Sequence, residues 1–227
     1  MKTKTAAIQP PTAVTTTSAT KKLVVMALLT AFAFAASRFQ IPVISFLKYE
    51  PKDIFLVLAG LLYGPSAALG CSVVAGVLEL PISSTGWIGM VMNIISSASF
   101  SCTVALIYKK RRDILGAMLG SLCAVAVMTV MMLLWNYLIS PLYMGVTREQ
   151  ITPMLTTVFL PFNLLKAGLN ATITLLIYRP FLRVLHLCGY PVNDHLADSK
   201  KATVLMVISS VILLGVCAGV VAYLNLK

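Results

Sequence analysis

The stretch ILGAMLGSLCAVAVMTVMMLLWNYLI, residues 114–139, contains 26 residues, none of which is charged. As an α-helix it would be about 39 Å long, more than the roughly 30 Å hydrocarbon core of a bilayer. The stretch therefore predicts a membrane-spanning helix. Composition agrees, because only 11% of the 227 residues are charged and 59% are hydrophobic, whereas soluble domains have about 25% charged residues. We predict an all-α integral membrane protein.

Further apolar runs lie on both sides of this stretch. They predict six membrane helices in residues 21–186 and an additional transmembrane helix in residues 202–227. A Thr-rich tail, residues 1–20, is predicted to be disordered, and residues 187–201 to form a cytoplasmic linker. The helices are expected at about 23–41, 54–63, 65–80, 86–108, 114–139, 157–182 and 202–224.

The second of these runs is too short to cross a bilayer. From Asp53 to Gly64 there are 12 residues, or about 18 Å of helix. Gly64–Pro65 ends the run, and the polar stretch 45–53 precedes it. Irregular backbone at membrane depth is tolerated only where it is buried in protein or lines a cavity. We therefore expect this loop to dip into the protein beside a binding pocket.

The basic residues predict the orientation in the membrane. With a cytoplasmic N-terminus, 12 of the 18 Lys and Arg residues fall on the inner side, as the positive-inside rule requires. The largest group is Lys109–Arg112. The net charge of +11 therefore reflects topology in a multi-pass cell-membrane protein, and no basic patch interleaved with aromatic residues suggests a nucleic-acid partner.

The sequence lacks the common catalytic and nucleotide-binding motifs. It contains no GxxxxGK[ST], HExxH or GxSxG pattern, and its five cysteines form no CxxC pair. We therefore predict no enzymatic activity, no metal site and no cofactor. A membrane enzyme or assembly subunit that binds lipid headgroups is the alternative from another class.

The stretch PFNLLKAGLN, residues 161–170, places polar groups inside an apolar run. Asn163, Lys166 and Asn170 share one helical face, and a lysine in mid-membrane costs about 2.5–3.5 kcal/mol. Pro161 suits a first helical turn, so Lys166 would lie about 7–8 Å from the outer end. We predict a polar cavity wall. In the alternative, Lys166 snorkels to the interface and Asn163 only caps the helix.

Three more polar residues are expected in the outer halves of the helices: Glu79, Asn93 and Asn136. Their alternatives are a solvated helix end for Glu79, a helix–helix hydrogen bond for Asn93 and an aromatic-belt position for Asn136. Donors among aromatic side chains suit a flat small molecule with polar edges. We predict that all three bind a ligand.

The first helix has a different pattern. Ala27, Ala31 and Ala35 recur every four residues, and such a stripe of small side chains allows another helix to approach closely. We predict a docking face for a partner membrane protein. Packing within the protein itself is the alternative.

Three stretches together resemble a known family: LKYEPKDIFLVLAGLLYGP (47–65), WNYLISPLY (135–143) and PFNLLKAGLN (161–170). They are similar to substrate-binding (S) components of energy-coupling factor (ECF) vitamin transporters, and among these to the riboflavin-specific ones. The resemblance covers roughly residues 22–185 in order, whereas the run at 202–224 lies outside it.

The resemblance implies a six-helix vitamin-binding domain whose first loop is a lid over an outward-facing site. It implies that Asn136, Asn163 and Lys166 contact riboflavin as a transported ligand, and that the lid contributes Lys48 and Tyr49. The alanine stripe would dock on a transmembrane coupling subunit with two ATPase partners. An S component for another vitamin, such as pantothenate or folate, is the alternative.

Overall fold

The computed structural model describes residues 19–44, 47–83, 85–187 and 200–225. Residues 1–18 and 188–199, which contain most of the predicted tail and linker, lie outside the described residues. Within the described part the chain is helical apart from one hairpin. The helices are α1 (Ala19–Ala36), α2 (Asp53–Tyr63), α3 (Pro65–Glu79), α4 (Gly86–Lys110), α5 (Ile114–Met144), α6 (Arg148–Met154), α7 (Leu160–Leu187) and α8 (Lys200–Asn225).

The membrane-protein prediction is confirmed by the lengths of these helices. Among the described residues, five helical stretches are long and apolar enough to cross a bilayer, while α2 and the apolar part of α8, Val207–Gly219, are shorter. Large apolar side chains cover the outside, for example Trp87, Leu134 and Leu142. An apolar outer surface suits lipid, which offers no hydrogen bonds to polar groups.

The loop before α2 forms a β-hairpin, which the sequence analysis did not predict. Strand β1 (Ile41–Ile44) pairs with antiparallel β2 (Leu47–Tyr49). The first helix was predicted to reach residue 41, but it ends at Ala36. Pro42 cannot donate a helical hydrogen bond, and the β-branched residues beside it favour extended backbone, so this end of the apolar run becomes a strand.

Helix α2 is as short as predicted and lies inside the bundle. It has 11 residues and contacts α1, α3, α4 and α7. Gly64, with φ of 93°, ends it in a conformation that only glycine adopts readily. Pro65 then begins α3 at a position where its missing N–H costs nothing. The chain thus turns sharply between α2 and α3.

The last span of the predicted bundle begins earlier than expected. Residues 148–154 were predicted as a loop, but they form α6, whose start is fixed by a capping box between Thr147 and Gln150. A π-helical segment, Leu155–Phe159, joins α6 to α7. Pro161 lies in the first turn of α7, as predicted, but helical residues precede that turn, so Lys166 lies farther from the start of the helical stretch than predicted.

The additional C-terminal helix packs against the bundle. Helix α8 contacts α7 and, less extensively, α5. The Cys217 Sγ atom lies 3.8 Å from the Leu165 carbonyl oxygen, and a Cβ atom added to Gly168 would come within 2.7 Å of that sulfur. The glycine in α7 therefore allows the two helices to approach closely.

Gly60 provides a test of the packing around α2. An added Cβ atom would lie 2.9 Å from the Ala105 Cβ and 3.0 Å from the Ala68 Cβ, and neither can rotate away. We expect Gly60→Ala to destabilise the protein by about 1–3 kcal/mol through overpacking. Thermal unfolding in detergent measures the change. The control, Gly70→Ala, adds its methyl group to open space and should leave the midpoint unchanged or raise it. Equal midpoints for the two variants would contradict this packing.

Candidate functional site

A cavity of about 360 Å³ lies beneath the hairpin, within the size range of small-molecule sites. The end of α1, the hairpin, the end of α3 and helices α4, α5 and α7 enclose it. Its lining includes Arg38, Gln40, Lys48, Glu50, Glu79, Met92, Asn93, Ser96, Met132, Asn136, Phe159, Phe162, Asn163 and Lys166. Polar groups and apolar side chains therefore meet in one space.

The structure brings the amides of α5 and α7 to the same wall. The Asn136 Nδ2 donates to the Met132 carbonyl at 2.7 Å, and its Oδ1 accepts from the Ser140 hydroxyl at 2.9 Å. The Asn163 Nδ2 donates to the Phe159 carbonyl at 2.8 Å. Each amide is thus oriented by its own helix and keeps one N–H without a partner among the described residues. Asn163 lies within helical backbone, so it does not cap the helix.

Lys166 adds a cation to this wall. The residue is 8% exposed, so its ammonium does not snorkel to the surface. Its Nζ lies 3.5 Å from the Ser96 hydroxyl, and no carboxylate of the described residues pairs with it. Because no carboxylate of the described residues neutralises its charge, this ammonium can donate strong hydrogen bonds to a ligand.

The opposite wall is acidic. Glu79 is 7% exposed, so it is not a solvated helix end. Its Oε2 accepts from the Lys52 Nζ at 2.5 Å and from the Asn93 Nδ2 at 2.8 Å. The predicted residues Glu79 and Asn93 therefore do meet, across α3 and α4, and Lys52, which precedes α2, contacts the same Glu79 oxygen.

The two predicted lid residues have different positions. Lys48 borders the cavity and donates to the Gln40 Oε1 at 3.0 Å. Tyr49 does not line the cavity; it is buried, and its hydroxyl donates to the Asn170 Oδ1 at 2.9 Å. Successive residues of a strand point to opposite faces, so the side chain of Tyr49 points away from the cavity that Lys48 borders, and its contact with a ligand stays a prediction.

Asn170 belongs to a buried network that the sequence analysis did not identify. The carboxylate of Asp53, at the start of α2, accepts from the Ser97 hydroxyl at 2.5 Å and from the Asn170 Nδ2 at 2.8 Å. The charged first residue of a short apolar helix was the available signal for this network. Asn170 thus ties three helices and the hairpin together, and it does not line the cavity with Asn163 and Lys166.

The alanine stripe of α1 lies on the surface of the protein. Ala27, Ala31 and Ala35 are exposed, whereas α1 uses another face, which includes Leu29 and Ala33, to pack against the protein. Packing among the described residues therefore does not account for the stripe. Among the described residues, no group of three or more His, Cys, Asp or Glu side chains could hold a metal ion.

All of the comparisons with known proteins find transporters or their components. A family model described as "ECF transporter, substrate-specific component" matches residues 21–178. The riboflavin transporter FmnP of Bacillus subtilis is 29% identical over 171 residues, which are 70% of this chain and 90% of that protein. The riboflavin transporter RibU of Streptococcus thermophilus is 27% identical over 179 residues, 73% of this chain and 85% of that protein.

A solved structure has the same architecture. It is described as the S component of a bacterial ECF transporter and superposes with a TM-score of 0.64 at 27% identity. The match covers 74% of this chain and 99% of that one. The residues of this chain outside the match are numerous enough to include the predicted additional helix.

The Asp53 network predicts a graded loss of stability. Asn170→Leu removes the donor to a buried carboxylate, so we expect a loss of about 2–4 kcal/mol. Tyr49→Phe removes one neutral hydrogen bond and should cost about 1 kcal/mol. Thermal unfolding of both variants in detergent measures the difference. If Tyr49→Phe is as damaging as Asn170→Leu, the carboxylate is not the critical member of the network.

Proposed function

Because the chain belongs to the family of substrate-specific components of ECF transporters, we propose that it captures riboflavin in the cavity beneath the hairpin. It then mediates riboflavin uptake together with an energy-coupling module. Riboflavin is the transported ligand and undergoes no reaction. The family and its named relatives are transport components, and the chain is not an enzyme.

The observation that carries the choice of ligand is the donor-rich wall of Asn136, Asn163 and Lys166. The flavin ring system is flat and largely apolar, and one edge bears two carbonyl oxygens with an N–H between them. Amide and ammonium groups match the carbonyl oxygens, and an amide oxygen can accept from the N–H. Phe159, Phe162, Met92 and Met132 supply apolar surface for the ring. Two relatives that are named riboflavin transporters support the same choice.

The opposite side of the cavity suits the hydroxyl-rich side chain of riboflavin. Lys48, Glu79 and Asn93 border this side, and the Glu79 Oε1 has no hydrogen-bond partner among the described residues. A carboxylate oxygen is a strong acceptor for hydroxyl groups. In this arrangement the ring edge faces α5 and α7, and the polyol chain faces the hairpin and α3.

The proposed coupling module consists of a transmembrane coupling subunit and two ATPases. The sequence has no phosphate-binding loop, so an energy source must come from partners. The exposed stripe of Ala27, Ala31 and Ala35 offers the coupling subunit a surface for close helix packing. With the N-terminus cytoplasmic, the cavity opens to the outside and Lys109–Arg112 lies inside.

Ligand identity is tested on the purified protein. A flavin that copurifies should give the sample a yellow colour and flavin absorbance. After the flavin is removed, added riboflavin should quench the tryptophan fluorescence, whereas pantothenate and folate should not. A colourless protein whose tryptophan fluorescence is quenched by neither riboflavin nor its analogues would overturn the choice of ligand. Binding of pantothenate or folate would identify that vitamin as the ligand instead.

Lys166→Ala tests the donor wall. Loss of a charge-assisted hydrogen bond costs about 1.5–3 kcal/mol, so riboflavin affinity should fall by about 10- to 100-fold. A fluorescence titration measures the affinity, and expression and the unfolding midpoint should change little. The matched control is Lys110→Ala at the basic end of α4. Unchanged affinity with reduced expression would show that Lys166 acts only in folding.

Ala31→Leu tests the docking stripe. A larger side chain on the stripe should block close helix packing, so riboflavin uptake by cells should fall several-fold while binding to the purified protein stays unchanged. Ala126→Leu, at another exposed alanine on α5, is the control and should not affect uptake. Normal uptake by the Ala31 variant would rule out the stripe as a docking face.

A further inference from the structure

A continuous row of polar contacts runs around the hairpin side of the cavity. The Lys48 Nζ donates to the Gln40 Oε1 at 3.0 Å, and the Gln40 Nε2 donates to the Glu50 Oε1 at 2.9 Å. The Lys52 Nζ lies 3.3 Å from the Glu50 Oε2 and 2.5 Å from the Glu79 Oε2. The row therefore begins on the hairpin and ends on α3.

Lys52 is a buried residue of this row and contacts two carboxylates. It is 1% exposed and does not line the cavity, while both of its carboxylate partners do. Glu50 follows directly after β2, and Glu79 is the last residue of α3. One buried ammonium thus joins two elements that are 29 residues apart in the sequence and enclose the ligand space from neighbouring sides.

We propose that Lys52 is a positioning residue for ligand binding, because it clamps the hairpin to α3 and so keeps the bound ligand enclosed. It acts through Glu50 and Glu79 and touches no ligand atom itself. This inference rests on the proposed function, since it assigns a role in the same site. The clamp should slow ligand release more than it alters ligand capture.

The contacts of Lys52 distinguish a clamp from a lysine that only neutralises the charge of Glu79. A lysine that only compensated for Glu79 would need one carboxylate partner, and Asn93 already donates to the same Glu79 oxygen. Lys52 instead contacts a second carboxylate on a separate element, although Gln40 also holds that side chain. The two contacts of the ammonium, one with Glu50 and one with Glu79, connect the hairpin to the cavity wall.

The experiment compares Lys52→Met, the double variant Lys52→Met/Glu79→Gln and the control Lys110→Met. Release of bound riboflavin is followed by fluorescence after dilution, and stability by thermal unfolding. Lys52→Met leaves two carboxylates without their cation, so it should unfold at a lower temperature and release riboflavin at least about tenfold faster. The control should match the wild type in both measurements.

The double variant decides between the two roles. It removes the uncompensated charge of Glu79, so the unfolding midpoint should recover, but the hairpin remains unclamped and release should stay faster than in Glu79→Gln alone, which carries the same change in the proposed ligand contact. A double variant that regains stability and releases riboflavin no faster than Glu79→Gln would overturn the clamp, as would wild-type release in Lys52→Met. If Lys52→Met does not fold, Glu50→Gln weakens the hairpin arm alone. It should speed release several-fold, and an unchanged rate would overturn the proposal.

A readout without ligand separates this inference from the proposed function. Arg38 and Lys48 are exposed trypsin sites at the hairpin, and an unclamped hairpin should be cut there several-fold faster in Lys52→Met or Glu50→Gln. Equal cleavage rates in the wild type and the variants would overturn the clamp. A wild-type protein that does not bind riboflavin but shows this difference in cleavage would overturn the ligand and keep the clamp.

Discussion

The burial of the Asp53 carboxylate is the constraint on which this structure depends. A charge in a membrane-embedded bundle must be fully hydrogen-bonded, and Ser97 and Asn170 supply the donors from α4 and α7. This requirement draws the start of α2 into the centre of the bundle. Because α2 is too short to cross a bilayer, the chain that leads to its buried first residue, Asp53, must enter the bundle. The hairpin is the consequence.

The sunken α2 also explains why the cavity has two chemically different walls. The long helices α5 and α7 carry amides and one ammonium, each oriented by contacts within its own helix or with Ser96. The segment before α2 brings Glu50 and Lys52 to the other side, where Glu79 of α3 lies. A ligand with carbonyl oxygens at one end and hydroxyl groups at the other would be held in a single orientation. Riboflavin has this distribution of groups.

Much of this arrangement could be predicted from local patterns. Hydrophobic length indicated the membrane spans and the short α2, and helical spacing placed Asn163 and Lys166 on one face. The hairpin was missed because a helix or an irregular loop fits so short an apolar run equally well. The Tyr49–Asn170 bond joins residues 121 positions apart, and the Lys52–Glu79 pair joins residues 27 positions apart. No periodicity within one segment encodes such contacts.

Helix α1 carries the proposed docking stripe and leads directly to the cavity. Its exposed face carries Ala27, Ala31 and Ala35, and its C-terminal end leads at once to Ser37 and Arg38, which line the cavity. Only four residues separate the end of α1 from the first strand of the hairpin. A partner that shifts α1 at the stripe would therefore also move the root of the hairpin, because so short a connection cannot absorb a large displacement. In this chain the proposed docking face and the hairpin that borders the cavity are parts of one continuous segment.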